Sequence, residues 1–224
     1  LLEKAIELDP NYAPAYRWLG SSHSVDVWLG ASKSPRDSLK RAVELQNKAL
    51  SIDSSLGDAH AVIGSIYILT KQYEKGMSEL EKAVELYPNE AESHAYLAMG
   101  YLYTDEIDKA ILISKKAIRL NPMAPSWYFN NLGAMYRCKG DYKEALVWSY
   151  TAVKQKPEYI IGRIHLSSIY SLLGRMEEAS LLAKEVLKLN PKFSLQRLEK
   201  TLPYKNPEVK KHYIEALRKA GLPE

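Results

Sequence analysis

Between Asp58 and Pro88 the chain reads DAHAVIGSIYILTKQYEKGMSELEKAVELYP, with apolar residues returning at helical spacing on either side of a short polar break. That pattern predicts two amphipathic helices joined by a tight turn, the second closed by a proline. Near-copies of the stretch follow at a fixed period. A repeat of this length is the mark of an architecture in which units stack on their neighbours.

With Gly57 as position 1, four ladders run along the chain in one register. Position 8 is small: Gly20, Gly64, Ala98, Gly133 and Ser167. Position 11 carries a ring: His23, Tyr67, Tyr101, Tyr136 and Tyr170. Position 27 is Ala5, Ala49, Ala83, Ala117, Ala152 and Val186, spaced from Ala49 onward by 34, 34, 35 and 34 residues. Position 32 is Pro10, Ser54, Pro88, Pro122, Pro157 and Pro191. A small residue at position 8 lets a paired helix come close. The ring three residues on lies on the same face and covers the groove so opened. Position 27 is where a second helix should meet the first helix of the next unit. Proline at position 32 stops the second helix, lacking an amide hydrogen and disfavouring α geometry before it.

These ladders resemble the tetratricopeptide repeat, a helix–turn–helix unit of about 34 residues. The likeness covers roughly residues 1–193. The family's tryptophan at position 4 is missing, its place taken by Tyr16, His60, His94, Phe129 and Arg163. The resemblance implies an all-α fold, a right-handed α–α superhelix of about five hairpins. Its parts would be a partial repeat at 1–12, full repeats at 13–56, 57–90, 91–124, 126–159 and 160–193, and a capping segment at 194–224. Because LLEKAIELDP matches only the end of a second helix and residue 1 is not Met, the sequence is expected to be a piece of a longer protein.

The first full unit departs from the pattern. Its position-20 alanine falls at Ala42, ten residues late, so ten residues are inserted within the stretch HSVDVWLGASKSPRDS. It predicts a first helix lengthened to about Leu29, a loop through Gly30, and a next helix opened by Ser34 as cap and Pro35. The inserted segment at 24–36 is expected to be a local elaboration with its own small contact, or else an edge that touches a neighbour. Further on, Gly140 and Gly174 share a register where a left-handed residue should end a first helix. Asp141 can cap the next helix, with Glu144 three residues on. In the tail, Asn206-Pro207 opens a helix whose Val209, Tyr213, Leu217 and Ala220 form one stripe, ended by Gly221. That segment should cover the outer face of the last unit, as terminal repeats need a cap.

The runs FSLQRLEKTLPYKNPE and YIEALRKAGLPE add a narrower resemblance. They are similar to the segment closing bacterial tetratricopeptide regions downstream of class III adenylate/guanylate cyclase domains, or of winged-helix and TolB-like modules. WYFNNLGAMY and the inserted first unit resemble the same group. This implies an accompanying, regulatory region. Nothing in these 224 residues matches a cyclase's metal or nucleotide ligands.

Composition narrows the function. The net charge of +4 arises wholly in residues 192–224, where eight basic residues meet four acidic ones. That leaves the repeats neutral and speaks against a nucleic-acid interface, which needs a clustered basic stripe. One cysteine, Cys138, excludes an internal disulfide and suits a reducing, cytoplasmic compartment. No apolar run approaches the ~18–20 residues of a membrane helix. Glycine-rich phosphate loops, HExxH and CxxC are absent. His60 and His94, one repeat apart, are better read as packing residues than as metal ligands, which must converge within about 2 Å of one ion. Arg137 and Lys139 flank Cys138 and could lower its pKa, although neighbours in a helix point apart and a buried, inert thiol is the simpler reading. No catalytic residue, metal or cofactor is expected.

What remains is a binding surface. In the tetratricopeptide family the first helices line a concave face. Carried over by position, that face would contain Arg17, Ser21, Ser65, Tyr96, Met99, Tyr103, Trp127, Asn130, Asn131, Arg137, His165 and Ser168, with Asp58 and Glu92 beside them. Tyr, Trp and Arg dominate binding hot spots, and an Asn amide can hold an extended backbone by paired hydrogen bonds. The family's chaperone-type carboxylate clamp is not matched, since the positions it needs hold Ala61, Val62, Ala95 and Tyr96. The expected function is a non-catalytic scaffold for a protein or peptide, with a cyclase-associated regulatory role or self-association as alternatives.

Overall fold

The computed structural model describes residues 1–28 and 31–224. Among the described residues there are thirteen helices and no strand. In order they are α1 Leu2–Leu8, α2 Ala13–Trp28, α3 Pro35–Ile52, α4 Gly57–Leu69, α5 Tyr73–Leu86, α6 Ala91–Tyr103 and α7 Ile107–Leu120. They continue with α8 Ser126–Lys139, α9 Tyr142–Gln155, α10 Ile160–Leu172, α11 Met176–Leu189, α12 Leu195–Thr201 and α13 Pro207–Lys219. The chain divides into two compact units, residues 1–100 and 101–224, the division falling inside α6.

In the first unit α2 packs on α3 and α4 on α5. Gly64 lies so close to α5 that an added Cβ would meet Leu80 Cγ at 2.7 Å and the Gly76 carbonyl at 2.9 Å. A Cβ at Gly20 would meet the Ala42 carbonyl at 3.0 Å. The small ladder thus faces the partner helix of the same hairpin. The insertion is absorbed by lengthening α2 and α3, and Val27 on the overhang packs against Leu39, Ala42, Val62 and Ile66. The predicted ends of that overhang at Leu29 and Gly30 lie outside the described residues. Ser34 does precede α3, but its hydroxyl donates to Asp37 at 2.5 Å and caps no amide.

In the second unit α8 packs on α9 and α10 on α11, with α7 against α8 and α9 against α10. Gly133 carries the closest approach: a Cβ there would strike Ser149 Oγ and sit 3.1 Å from the Ala145 carbonyl. Asp141 accepts the Glu144 amide hydrogen bond and Asn206 accepts that of Glu208, as their cap positions require. Position 15 of every hairpin from α4 onward is left-handed: Lys71, Asp105, Gly140 and Gly174 have φ of 62°, 72°, 84° and 74°.

The C-terminal segment does more than cover the last hairpin. Helix α13 packs on α10 and on α12, burying Tyr213, Ile214, Ala216 and Leu217. The link before it, Leu202–Asn206, returns to the start of the unit. The Lys205 amide donates to the Tyr103 carbonyl at 2.9 Å, and Asn206 Nδ2 donates to Asp105 at 2.8 Å.

Candidate functional site

The predicted binding residues fall into both units, and each group has its own character. In the first unit Arg17 pairs with Asp58 at 2.7 Å and lies over the Trp18 ring at 3.9 Å. The other Asp58 oxygen is buried and has no hydrogen-bond partner among the described residues. Burial pushes the Asp58 carboxyl up, against the pull of Arg17. Burial also raises Glu92, with Glu90 and Asp58 adding to it. Tyr96, half-buried, has its phenol held up by burial and by Glu92 and Glu90. This surface gathers three carboxylates around one guanidinium, which favours a cationic group on anything that binds there. The neighbouring candidates are closed off. Ser21 accepts from Gln46 of α3 at 3.1 Å, Ser65 is buried and donates to the Val62 carbonyl at 2.8 Å, and Met99 is buried.

In the second unit α8 and α10 stand side by side and bring Asn130, Arg137 and His165 into one cluster. Arg137 is only 2% exposed. Its Nη2 donates to the Tyr204 hydroxyl at 2.8 Å, its Cζ lies 4.1 Å from the centre of the Tyr213 ring, and its Nε has no partner among the described residues. Tyr103 meets Tyr204 edge-on at 5.1 Å, and His165 meets Tyr213 edge-on at 5.4 Å. Both amide atoms of Asn130, His165 Nδ1 and the Tyr213 hydroxyl are buried without a hydrogen bond among the described residues. Burial first, then Arg137, lowers the His165 pKa to about 3, so the ring is neutral. Burial raises the Tyr204 and Tyr213 phenols, which stay protonated. Burial also pushes the Cys138 thiol up, outweighing Arg137, which disfavours the nucleophilic thiolate. Ser168 is buried and donates to the His165 carbonyl at 2.6 Å. Trp127, which stacks edge-on with Tyr128 at 4.3 Å, and Asn131 are half-buried.

The two candidate metal histidines each have their own partner. His60 Nδ1 is 2.5 Å from Glu79, and His94 Nε2 is 2.9 Å from the Pro88 carbonyl. No group of three or more His, Cys, Asp or Glu among the described residues could hold a metal ion. At position 4, Arg163 pairs with Glu185 at 2.9 Å and Phe129 stacks on Trp148 at 6.1 Å, so these side chains brace the second helix in place of the family tryptophan. No described helix is long and apolar enough to cross a membrane.

Tyr204, Tyr213 and Asp105 complete the second cluster and were not singled out as binding residues from sequence. The visible signal was slight: a tyrosine between two prolines in Leu202-Pro203-Tyr204-Lys205-Asn206-Pro207, outside any helical period.

Comparison with known proteins agrees with this architecture. Tetratricopeptide repeat models match residues 57–90 and 163–193, and a second such model matches 127–154. The chain therefore carries tetratricopeptide repeats, and its fold is all-α of that class. No curated protein matches it in sequence. Among solved structures, the APC/C hetero-tetramer Cut9-Hcn1 aligns with a TM-score of 0.74 at 14% identity, over 98% of this chain and 38% of that one. A thermophilic tetratricopeptide protein of Thermus thermophilus aligns with a TM-score of 0.66 at 19% identity, over 92% and 99%. YrrB, described as a tetratricopeptide protein with an unusual peptide-binding site, aligns with a TM-score of 0.52 at 20% identity, over 85% and 93%. At these identities the likeness is one of fold.

Proposed function

We propose that this chain is a non-catalytic interaction scaffold that holds a peptide or an extended segment of a partner protein against its first helices. The observation that carries this reading is the second-unit cluster. Asn130, Arg137 and His165 stand on adjacent helices with buried hydrogen-bonding atoms that the protein itself leaves unmet. Buried polar groups are nearly always satisfied, and exceptions ask for a ligand or a role. The half-exposed Trp127 and Asn131 beside them offer an aromatic anchor and a backbone-holding amide. In the first unit, Tyr96 and the Asp58–Glu92 carboxylates offer a complementary place for a cation. YrrB supports the reading as a protein of similar fold with a peptide-binding site. The test is capture of partners by the full chain and by Tyr96→Ala and Asn131→Ala. Each variant should lose about tenfold or more in affinity with an unchanged helical circular-dichroism spectrum. Unchanged capture by both would end the assignment.

The tail runs FSLQRLEKTLPYKNPE and YIEALRKAGLPE support a second, compatible reading, in which the scaffold accompanies a nucleotidyl cyclase, winged-helix or TolB-like module. Sequencing the flanking gene decides it, since a gene encoding none of these modules removes the reading.

A further inference from the structure

We propose that Leu202–Asn206 is a displaceable strap filling the second unit's binding site, and that a partner peptide enters by putting an acidic side chain on Arg137 where Tyr204 now sits. This rests on the scaffold reading and adds how the site is regulated and what chemistry opens it.

The argument begins with an imbalance of charge. Elsewhere in the chain a partly buried arginine meets a carboxylate, Arg17 with Asp58 and Arg163 with Glu185. Arg137 is more deeply buried than either, yet the one hydrogen bond of its guanidinium among the described residues is to the neutral phenol of Tyr204. A guanidinium does not shed its proton in proteins, and a buried charge is ordinarily matched by an opposite one. Its Nε, the Asn130 amide and His165 Nδ1 lie buried and unmet beside it. A permanent structural contact would have satisfied these atoms. The present occupant fits them incompletely, as expected of a stand-in.

Three hydrogen bonds of 2.8–2.9 Å join the strap to the rest of the unit: Arg137 to Tyr204, the Lys205 amide to the Tyr103 carbonyl, and Asn206 to Asp105. Leu202 and Tyr204 are buried, and the Tyr204 ring also meets that of Tyr103. Asp105 holds a left-handed conformation, with φ of 72°, at a position where later hairpins have glycine. Its carboxylate makes the strap tie, which gives a reason for an acid there. A short segment outside any helix can open locally while α13 stays packed on α10.

Cys138 provides the readout. It is the single cysteine, partly exposed, next to Arg137 in the chain, with Tyr204 among the groups that act on its thiol. Iodoacetamide labelling of the full chain therefore reports strap opening. Tyr204→Ala, and separately Asp105→Ala, which removes the tether to Asn206, should each raise the labelling rate per thiolate at least about tenfold. Both should also bind an array of end-capped peptides of about twelve residues centred on Glu or Asp more tightly than the unaltered chain does, and lose the signal for the matched Gln and Asn peptides.

Labelling unchanged in the folded variants overturns the strap. Faster labelling with equal binding of acidic and amide peptides overturns the acidic partner. Should peptides bind the unaltered chain as well as both variants, the inference fails while the scaffold reading stands. Should no peptide bind any form, both fail.

Discussion

His165 is a titratable ring placed where it cannot accept charge. Burial, with Arg137 nearby, lowers its pKa from 6.5 to about 3 in the folded chain. The unfolded chain takes up a proton below about pH 6.5 that the folded chain refuses, so this residue's contribution is full above that pH and is lost as the pH falls toward 3. The loss approaches about 1.4 kcal/mol per pH unit. Asp58 and Glu92 act in the opposite sense: their raised pKa values make the folded chain the better proton acceptor through their own window, so stability gains there on acidification. Urea unfolding at pH 7, 6 and 5 separates the two. His165→Asn should flatten the acid-side decline, and an identical slope in that variant would show that the ring is protonated in the native state. The turns show which residue-scale features a sequence displays. Gly140 and Gly174 announce a left-handed position because glycine is favoured there. Lys71 and Asp105 adopt the same conformation in the same register with side chains that give no such sign.

At the level of helices the repeat ladders carry most of the information. A small residue at position 8 was expected to admit a close partner, and Gly64 and Gly133 both lie against the second helix of their own hairpin. Gly133→Leu should therefore push α8 from α9 and destabilise the chain by about 1–3 kcal/mol or more, the usual penalty of overpacking. Urea unfolding measures this, and an unchanged midpoint would mean the register is misassigned. The strap was not legible in this way. The stripe Val209, Tyr213, Leu217 and Ala220 tells which side of α13 is buried, but an amphipathic face does not name the helix it will meet. Tyr204 reaches Arg137 across 67 residues and Asn206 reaches Asp105 across 101, separations no periodicity encodes. The binding candidates were partly obscured for a related reason. Position in a repeat gives the side of the helix, and whether Ser65, Asn130 or Ser168 then meets solvent depends on what covers that side.

For the whole chain the question is how far a local injury spreads. Repeat hairpins touch mainly their sequence neighbours, so stability is close to a sum of unit and interface terms, and opening can stop between units. The second compact unit has in addition a long closure, because the strap ties residues 103–105 at its start to 204–206 near its end. That tie makes opening of α8 and α9 consequential for α12 and α13 as well. In Gly133→Leu, hydrogen exchange followed by mass spectrometry should then show amide protection falling together across α7–α13, while α1–α5 keep theirs. Loss confined to α8 and α9 would show that the strap transmits nothing. Equal loss in α1–α5 would show that the two units unfold as one.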